Sequence, residues 1–269
     1  MQPADARPRM AYNEVLMTGA VMTNIVETKL EDRVLRVCLN RPDQRNSLTM
    51  PLCKELVHVF DRAEKDSSVG SVLLTGMGDC FCAGMEINEV ARGDVASVSR
   101  VQETLFTLGA RLTKPLIGAV KGVALGSGMG LVANCHVAIA AENATFGLTG
   151  IRFGLWPFVI FPAVSAAVGE RRALALTMTG EVIGAAEALR IGLVHQVVPI
   201  GEVEQRALDV AQTVASYSLN AMHSGLRFTH EIQGHSWKAA SCEGSRVREQ
   251  YLKSADFQAD LSAFLNQKK

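Results

Sequence analysis

The sequence has no excess of either charge sign. Its 269 residues carry 27 Lys plus Arg against 27 Asp plus Glu, a formal net charge of +0. Such a balance offers no broad basic surface for nucleic acid and no polybasic attraction to an anionic membrane. Also missing is any run approaching the ~18–20 consecutive apolar residues that cross a bilayer. Residues 1–22 lack the apolar block of a secretory signal, and Asp5 and Glu14 argue against a mitochondrial leader. They are expected to form a mobile extension ahead of the folded body, in a protein of the cytoplasm. The six cysteines (Cys38, Cys53, Cys80, Cys82, Cys135 and Cys242) are irregularly spaced, and Cys80 and Cys82 enclose only Phe81, so no CxxC pair exists. With no second Cys/His cluster, neither a metal site nor a disulfide framework is expected, and the thiols read as reduced and mostly buried.

What is present suits one sizeable globular body. Hydrophobic residues make up 48% and charged residues 20% of the chain, enough to bury a core without staples. Val34–Leu39 is a nearly continuous apolar run, as in a strand covered on both faces, and Asn40-Arg41-Pro42-Asp43 ends it. A helix follows: Thr49 is a fitting N-cap and Pro51 falls in the first turn. Leu52, Leu56, Val59, Phe60 and Ala63 share one face. Val69 to Thr75 predicts a second buried strand, and Pro115 to Val120 a third, broken at Gly122 and resumed to Leu125. The turn 126–130 is expected to open a short helix from Leu131 to Cys135, before a strand over Val137–Ala140. Buried strands in strand–strand–helix order imply α/β architecture. Helices are expected over Arg171–Thr179 and Ala185–Ile191, each closed by a glycine, then a strand over Leu193–Val198. An amphipathic helix carries Val203, Ala207, Val210, Ala211 and Val214, and Met222 to Lys269 reads as helical.

Two glycine-containing turns stand out: Phe81-Cys82-Ala83-Gly84-Met85-Glu86-Ile87, and Gly122-Val123-Ala124-Leu125-Gly126-Ser127-Gly128-Met129-Gly130. Glycine permits close backbone approach and positive φ, and a helix start presents N–H groups with no intrahelical partner. Side by side, two such turns offer two donors to one developing oxyanion. The competing reading is that the glycines serve only tight strand–helix packing, and spacing does not decide between them. The second turn is not a P-loop, because no Gly-Lys-Ser/Thr follows, and it does not match GxGxxG.

From about Asn24 onward the chain resembles the crotonase (enoyl-CoA hydratase/isomerase) family. Asn40-Arg41-Pro42 with Asn46-Ser47-Leu48 resembles its NRP…NAL segment. Phe81–Glu86 resembles F-x-A-G-x-D, and Gly122–Gly128 resembles G-x-A-x-G-G-G. Leu176–Gly180, Ala185–Ala188 and Gly192–Val194 resemble the later LTG, A-x-E-A and GLV signatures. The resemblance implies a crotonase-like spiral of ββα units over residues 23–200. It also implies a helical C-terminal region of the same domain, 201–269, used in trimerisation, with homotrimers or dimers of trimers. The implied substrate is an acyl-CoA thioester, with coenzyme A as part of the substrate and no separate cofactor. By motif position the oxyanion donors are the backbone N–H groups of Met85 and Ser127. Contacts to coenzyme A run along Gln44, Arg45, Ala83, Met85, Glu86, Ile87 and Asn88.

The chain departs from the family pattern where hydration needs two carboxylates to activate a water. The positions corresponding to those glutamates are Gly130 and Gly150, so a standard two-glutamate hydratase is not expected. Isomerisation, decarboxylation, thioester cleavage or acyl-CoA binding without turnover all stay open. Glu86 holds the family's acidic position and reads as structural or solvent-facing. His136 is expected to cap a helix C-terminus. Ser127 reads as filling a position usually held by glycine; no GxSxG elbow supports a nucleophile. Trp156 and Phe158 stand in a segment usually rich in small residues, where they either reshape the acyl pocket or pack as core.

Overall fold

The computed structural model describes residues 24–86 and 95–266. The expected extension at 1–22 and the positions Ile87 and Asn88 lie outside the described residues.

Strands β1 (Val26–Glu31), β2 (Val34–Leu39), β3 (Ser71–Gly76), β4 (Leu116–Val120), β6 (Val137–Ala141) and β9 (Gln196–Val198) form the larger sheet. Its order is β1-β2-β3-β4-β6-β9, with β1 antiparallel to β2 and every later pair parallel. All six residues of β3 are buried, because both faces are covered. This is why the interior strands read as unbroken apolar runs. A smaller sheet holds β5 (Val123–Leu125), β7 (Thr145–Gly147) and β8 (Val182–Gly184) in the order β5-β7-β8. Single bridges extend it beyond β5: Cys82 pairs parallel with Ala124, and Leu48 with Met85. Each pass of the chain thus lays one strand in the large sheet, one short segment in the small layer, and then a helix. That is the ββα spiral.

Helix α1 (Met50–Lys65) starts where expected, Thr49 accepting from the Leu52 N–H with Pro51 in the first turn. Helix α2 (Val95–Phe106) follows the second pass. Helix α3 spans Ser127–Ala133, so it begins four residues earlier than the sequence suggests and takes Gly128 and Gly130 into its body. Helices α4 (Phe161–Val168), α5 (Glu170–Thr179) and α6 (Ala185–Arg190) follow, and Gly180 and Gly192 adopt positive φ just beyond two of them. The strand expected from Leu193 is shorter, Gln196–Val198.

The main core lies between the two sheets and under α1, α4 and α5. A second, smaller core forms where α7 (Val203–Ala215) lays Val203, Ala207, Ala211 and Ala215 on the outer face of the large sheet. Gly70 allows that approach: a Cβ there would stand 2.9 Å from the Cβ of Ala215. Helices α8 (Leu219–Glu231), α9 (Trp237–Leu252) and α10 (Ala255–Asn266) complete the helical C-terminal region and bury none of their own residues.

Candidate functional site

The two glycine turns lie next to each other, and the backbone ladder explains how. Cys82 donates to the carbonyl of Val123 (2.9 Å) and accepts from the N–H of Leu125 (3.1 Å). Two residues on, Leu48 donates to the Gly84 carbonyl (2.8 Å) and accepts from the Glu86 N–H (2.9 Å). In a parallel bridge of this pattern the N–H of the middle residue, Met85, points away from Leu48. Gly84, at φ 108, makes the necessary reversal. Gly126 turns the partner segment at φ 51, and Ser127 follows as the first residue of α3. A first-turn amide has no intrahelical acceptor. A Cβ on Gly84 would lie 3.8 Å from the Ser127 nitrogen, so the two turns run in contact. Among the described residues, no hydrogen bond takes up the N–H of Met85 or of Ser127. Gly128 is required by packing alone, since a Cβ there would meet the Cys82 carbonyl oxygen at 2.1 Å.

Asn46 holds this assembly from below. It is fully buried in the left-handed region (φ 53), its Oδ1 accepts from Arg41 N–H, and its Nδ2 donates to the carbonyls of Met77 and Cys80. Ala83 then donates to the carbonyl of Arg45 at 3.0 Å. The side chains of Gln44 and Arg45 are exposed, and neither residue lines the cavity described next.

A cavity of about 690 Å³ opens over the two turns. Its base includes Ala83, Gly84, Met85, Gly126 and Ser127. Val98, Ser99 and Gln102 of α2 form one wall, while Leu148 to Gly150 and Phe153 to Ile160 form the other. Its volume lies within the range typical of small-molecule sites. No Asp, Glu, His, Lys or Arg lines it among the described residues, and no His/Cys/Asp/Glu cluster capable of holding a metal occurs among them anywhere. Trp156 and Phe158 both face this cavity, and Phe158 is 74% exposed, so core packing does not account for it.

Gly130 and Gly150 are enclosed differently. A Cβ on Gly130 would stand 2.7 Å from Cγ2 and 2.9 Å from Cβ of Ile160, and 3.3 Å from Phe106. A Cβ on Gly150 would meet the carbonyl oxygen of Leu155 at 2.9 Å. Ile160 is 5% exposed and borders the cavity, so an aliphatic side chain occupies the space beside Gly130.

The remaining polar candidates are bound elsewhere. The Glu86 carboxylate accepts from the Ser47 hydroxyl at 3.2 Å and does not line the cavity. The expected cap at His136 is made instead by Asn134, whose Nδ2 donates to the Gly130 carbonyl while its Oδ1 accepts from Gly109 N–H. His136 rather extends the sheet. Its N–H donates to the Leu116 carbonyl and its Nδ1 accepts from Leu116 N–H, so the ring replaces one rung of the β4–β6 ladder. Burial first, and the nearby His230 ring second, push its pKa down to about 4, against the Gly109 carbonyl. His195 makes the same contact at the next pass, Nδ1 accepting from Ala138. Sequence reasoning missed this paired use; its trace is a histidine just before each returning strand. Cys82 and Cys135 are buried, and burial pushes both thiols up to about 12, which keeps them as thiols and poor nucleophiles at neutral pH.

This arrangement, two mostly parallel layers of strands wound in one ββα spiral, defines the crotonase class of fold. Human enoyl coenzyme A hydratase domain-containing protein 3 superposes with a TM-score of 0.85 at 26% identity, over 91% of this chain and 98% of that one. An enoyl-CoA hydratase from Bacillus anthracis gives 0.83 at 28% identity, over 90% and 96%. The sequence pattern of the enoyl-CoA hydratase/isomerase family matches residues 29–269, and the chain belongs to that family. Its relatives include a 2,3-dehydroadipyl-CoA hydratase of Escherichia coli, 34% identical over 88% of this chain and 94% of that protein. A hydroxycinnamoyl-CoA hydratase-lyase of Pseudomonas fluorescens is 30% identical over 82% and 86%. The family processes acyl-CoA. No helix among the described residues is long and apolar enough to cross a membrane.

Proposed function

We propose that this protein binds an acyl-CoA thioester with the carbonyl oxygen between the N–H groups of Met85 and Ser127, and stabilises an enolate or oxyanion there. The observation that carries the reading is the pair of unengaged amides on two touching turns at the base of one cavity. Donors fixed toward developing charge are worth about 2.7–4 kcal/mol each in a transition state and need no reorganisation. Carboxylate-assisted hydration is not part of the proposal. Its two acids are replaced by Gly130 and Gly150, and Ile160 fills the space beside the first. Reactions that need only oxyanion stabilisation, with the proton moved by water or by the substrate, fit the remaining chemistry: isomerisation, decarboxylation or thioester cleavage.

A second reading, acyl-CoA binding without turnover, is favoured by one observation: no titratable Asp, Glu, His, Lys or Arg lines the cavity among the described residues. We also propose assembly as a trimer or dimer of trimers, supported by α8–α10, which bury none of their residues within the chain.

Calorimetric titration with an acyl-CoA and with its thioether analogue, which lacks the carbonyl, tests the binding claim. The thioester is expected to bind more tightly by ~1 kcal/mol, the net value of a hydrogen bond; equal affinities overturn the two-amide reading. Incubation with enoyl-, 3-enoyl-, malonyl- and saturated acyl-CoAs, followed by mass spectrometry, separates turnover from binding.

A further inference from the structure

One wall of the cavity puts three aromatic rings, Phe153, Trp156 and Phe158, within six positions of one another. They are not there to complete the core: Phe153 is 56% and Phe158 74% exposed, yet both border the cavity. Trp156 is held in place by its neighbours. Its ring sits 6.1 Å from that of Phe161 at an angle of 34°, and its carbonyl accepts from the Phe158 N–H at 2.9 Å. Pro157 between them further restricts the turn. Met85, at the base of the same cavity, brings a soft and polarisable thioether suited to a ring edge. Ile160, in the same wall, adds an aliphatic surface packed against Gly130.

We infer that the acyl group this cavity takes is uncharged and aromatic, its ring packed among Phe153, Trp156 and Phe158. The inference rests on the proposed thioester site and adds the class of acyl group to it. A carboxylated acyl chain would bury a charge opposite no cation among the described lining residues, which is costly. A straight aliphatic chain would fill the volume but forgo the edge and face contacts that aromatic pairs gain, ~0.5–1.5 kcal/mol beyond area burial. A short acyl group would leave the exposed rings uncovered.

The chain has only two tryptophans, Trp156 and Trp237, and Trp237 is 95% exposed on the C-terminal region. The full-length W237F variant therefore keeps one tryptophan, in the cavity wall, as a fluorescent reporter. It is titrated with coenzyme A, acetyl-CoA, octanoyl-CoA, succinyl-CoA and 3-phenylpropanoyl-CoA, all lacking the double bond that hydration consumes. The phenyl compound is expected to bind ~3- to 10-fold more tightly than octanoyl-CoA and at least ~30-fold more tightly than succinyl-CoA. F158A is expected to erase the preference over octanoyl-CoA by weakening binding of the phenyl compound, with the gel-filtration profile of the parent. Octanoyl-CoA binding as tightly as the phenyl compound, or succinyl-CoA doing so, overturns the inference while the thioester site stands. F158A changing the oligomeric state without changing acyl preference also overturns it, because Phe158 would then belong to a subunit contact. No binding of any thioester sinks the proposed function itself.

Discussion

Placing glutamate at position 130 puts a carboxylate on α3 where hydration chemistry would want one, yet the packing around Gly130 opposes it. The first side-chain atom alone would lie 2.7 Å and 2.9 Å from two carbons of Ile160, which is β-branched and 5% exposed and has little freedom to yield. Overpacking of a filled site costs about 1–3 kcal/mol. Relief of the helix-interior glycine returns about 0.8–1.0 kcal/mol. Burial raises the carboxyl pKa and adds a further cost when the group is charged. The net expectation for G130E is about 1–3 kcal/mol of destabilisation, a fall in Tm of roughly 3–10 °C. No hydration of crotonyl-CoA should appear, read as unchanged enoyl absorbance.

The decisive comparison is the double variant. I160A alone removes buried methyl groups and costs about 2–5 kcal/mol. If Ile160 is what excludes the carboxylate, G130E on the I160A background should cost less than on the parent, a coupling of ~0.5–3 kcal/mol in a double-mutant cycle. Differential scanning calorimetry of the four proteins measures it. G130E as stable as the parent, or strictly additive effects, would refute the claim that Ile160 leaves no room for a carboxylate at position 130. Because the readout is stability, it holds whatever reaction the protein catalyses.

S127P should remove one oxyanion donor with little damage to the fold, since the first helical position tolerates proline and Gly126, at φ 51 and ψ −117, is not in the α region. Any turnover found should drop by about 10²–10³ relative to S127A, measured by single-turnover kinetics; equal rates would mean the amide is unused. Stability should depend on pH through His136, whose folded pKa of about 4 lies below the ordinary value of 6.5. Between these values the unfolded chain binds the extra proton, so stability is intact above pH ~6.5 and declines as the pH falls toward ~4. The loss is roughly 3 kcal/mol at most. H136N, which keeps an acceptor for Leu116, should flatten urea midpoints across that window. Alkylation by iodoacetamide at neutral pH should label the exposed Cys242 first and spare Cys82 and Cys135, whose thiols burial holds at about 12; early modification of Cys82 by peptide mapping would contradict its burial.

Strands β2, β3 and β4 were legible because they are covered on both faces and appear as apolar runs closed by glycine or by Asn-Arg-Pro; β1, whose residues alternate between exposed and wholly or partly buried, and the three-residue β7 and β8 left no such run. The site was legible only in part. The residues of both turns could be named, but the side to which Met85 directs its N–H depends on pairing with Leu48, 37 positions away, and on the reversal at Gly84. Helix α3 begins at Ser127 because Gly128 and Gly130 are kept by external contacts, the Cys82 carbonyl and Ile160. Propensity counts those glycines as helix breakers and therefore delays the helix to Leu131. The role of His136 was misjudged for a similar reason: Asn134 is the nearer capping side chain, and the strand partner Leu116 is remote in sequence.

The surroundings of positions 130 and 150 leave little room for a side chain at either. Gly130 faces Ile160, and Gly150 faces the Leu155 carbonyl, while both Leu155 and Ile160 belong to the same stretch that carries Trp156 and Phe158. One short stretch, residues 155–160, therefore carries rings of the cavity wall and also limits the space beside positions 130 and 150. The oxyanion site we propose, made of the Met85 and Ser127 amides, is independent of the side chains that this segment carries.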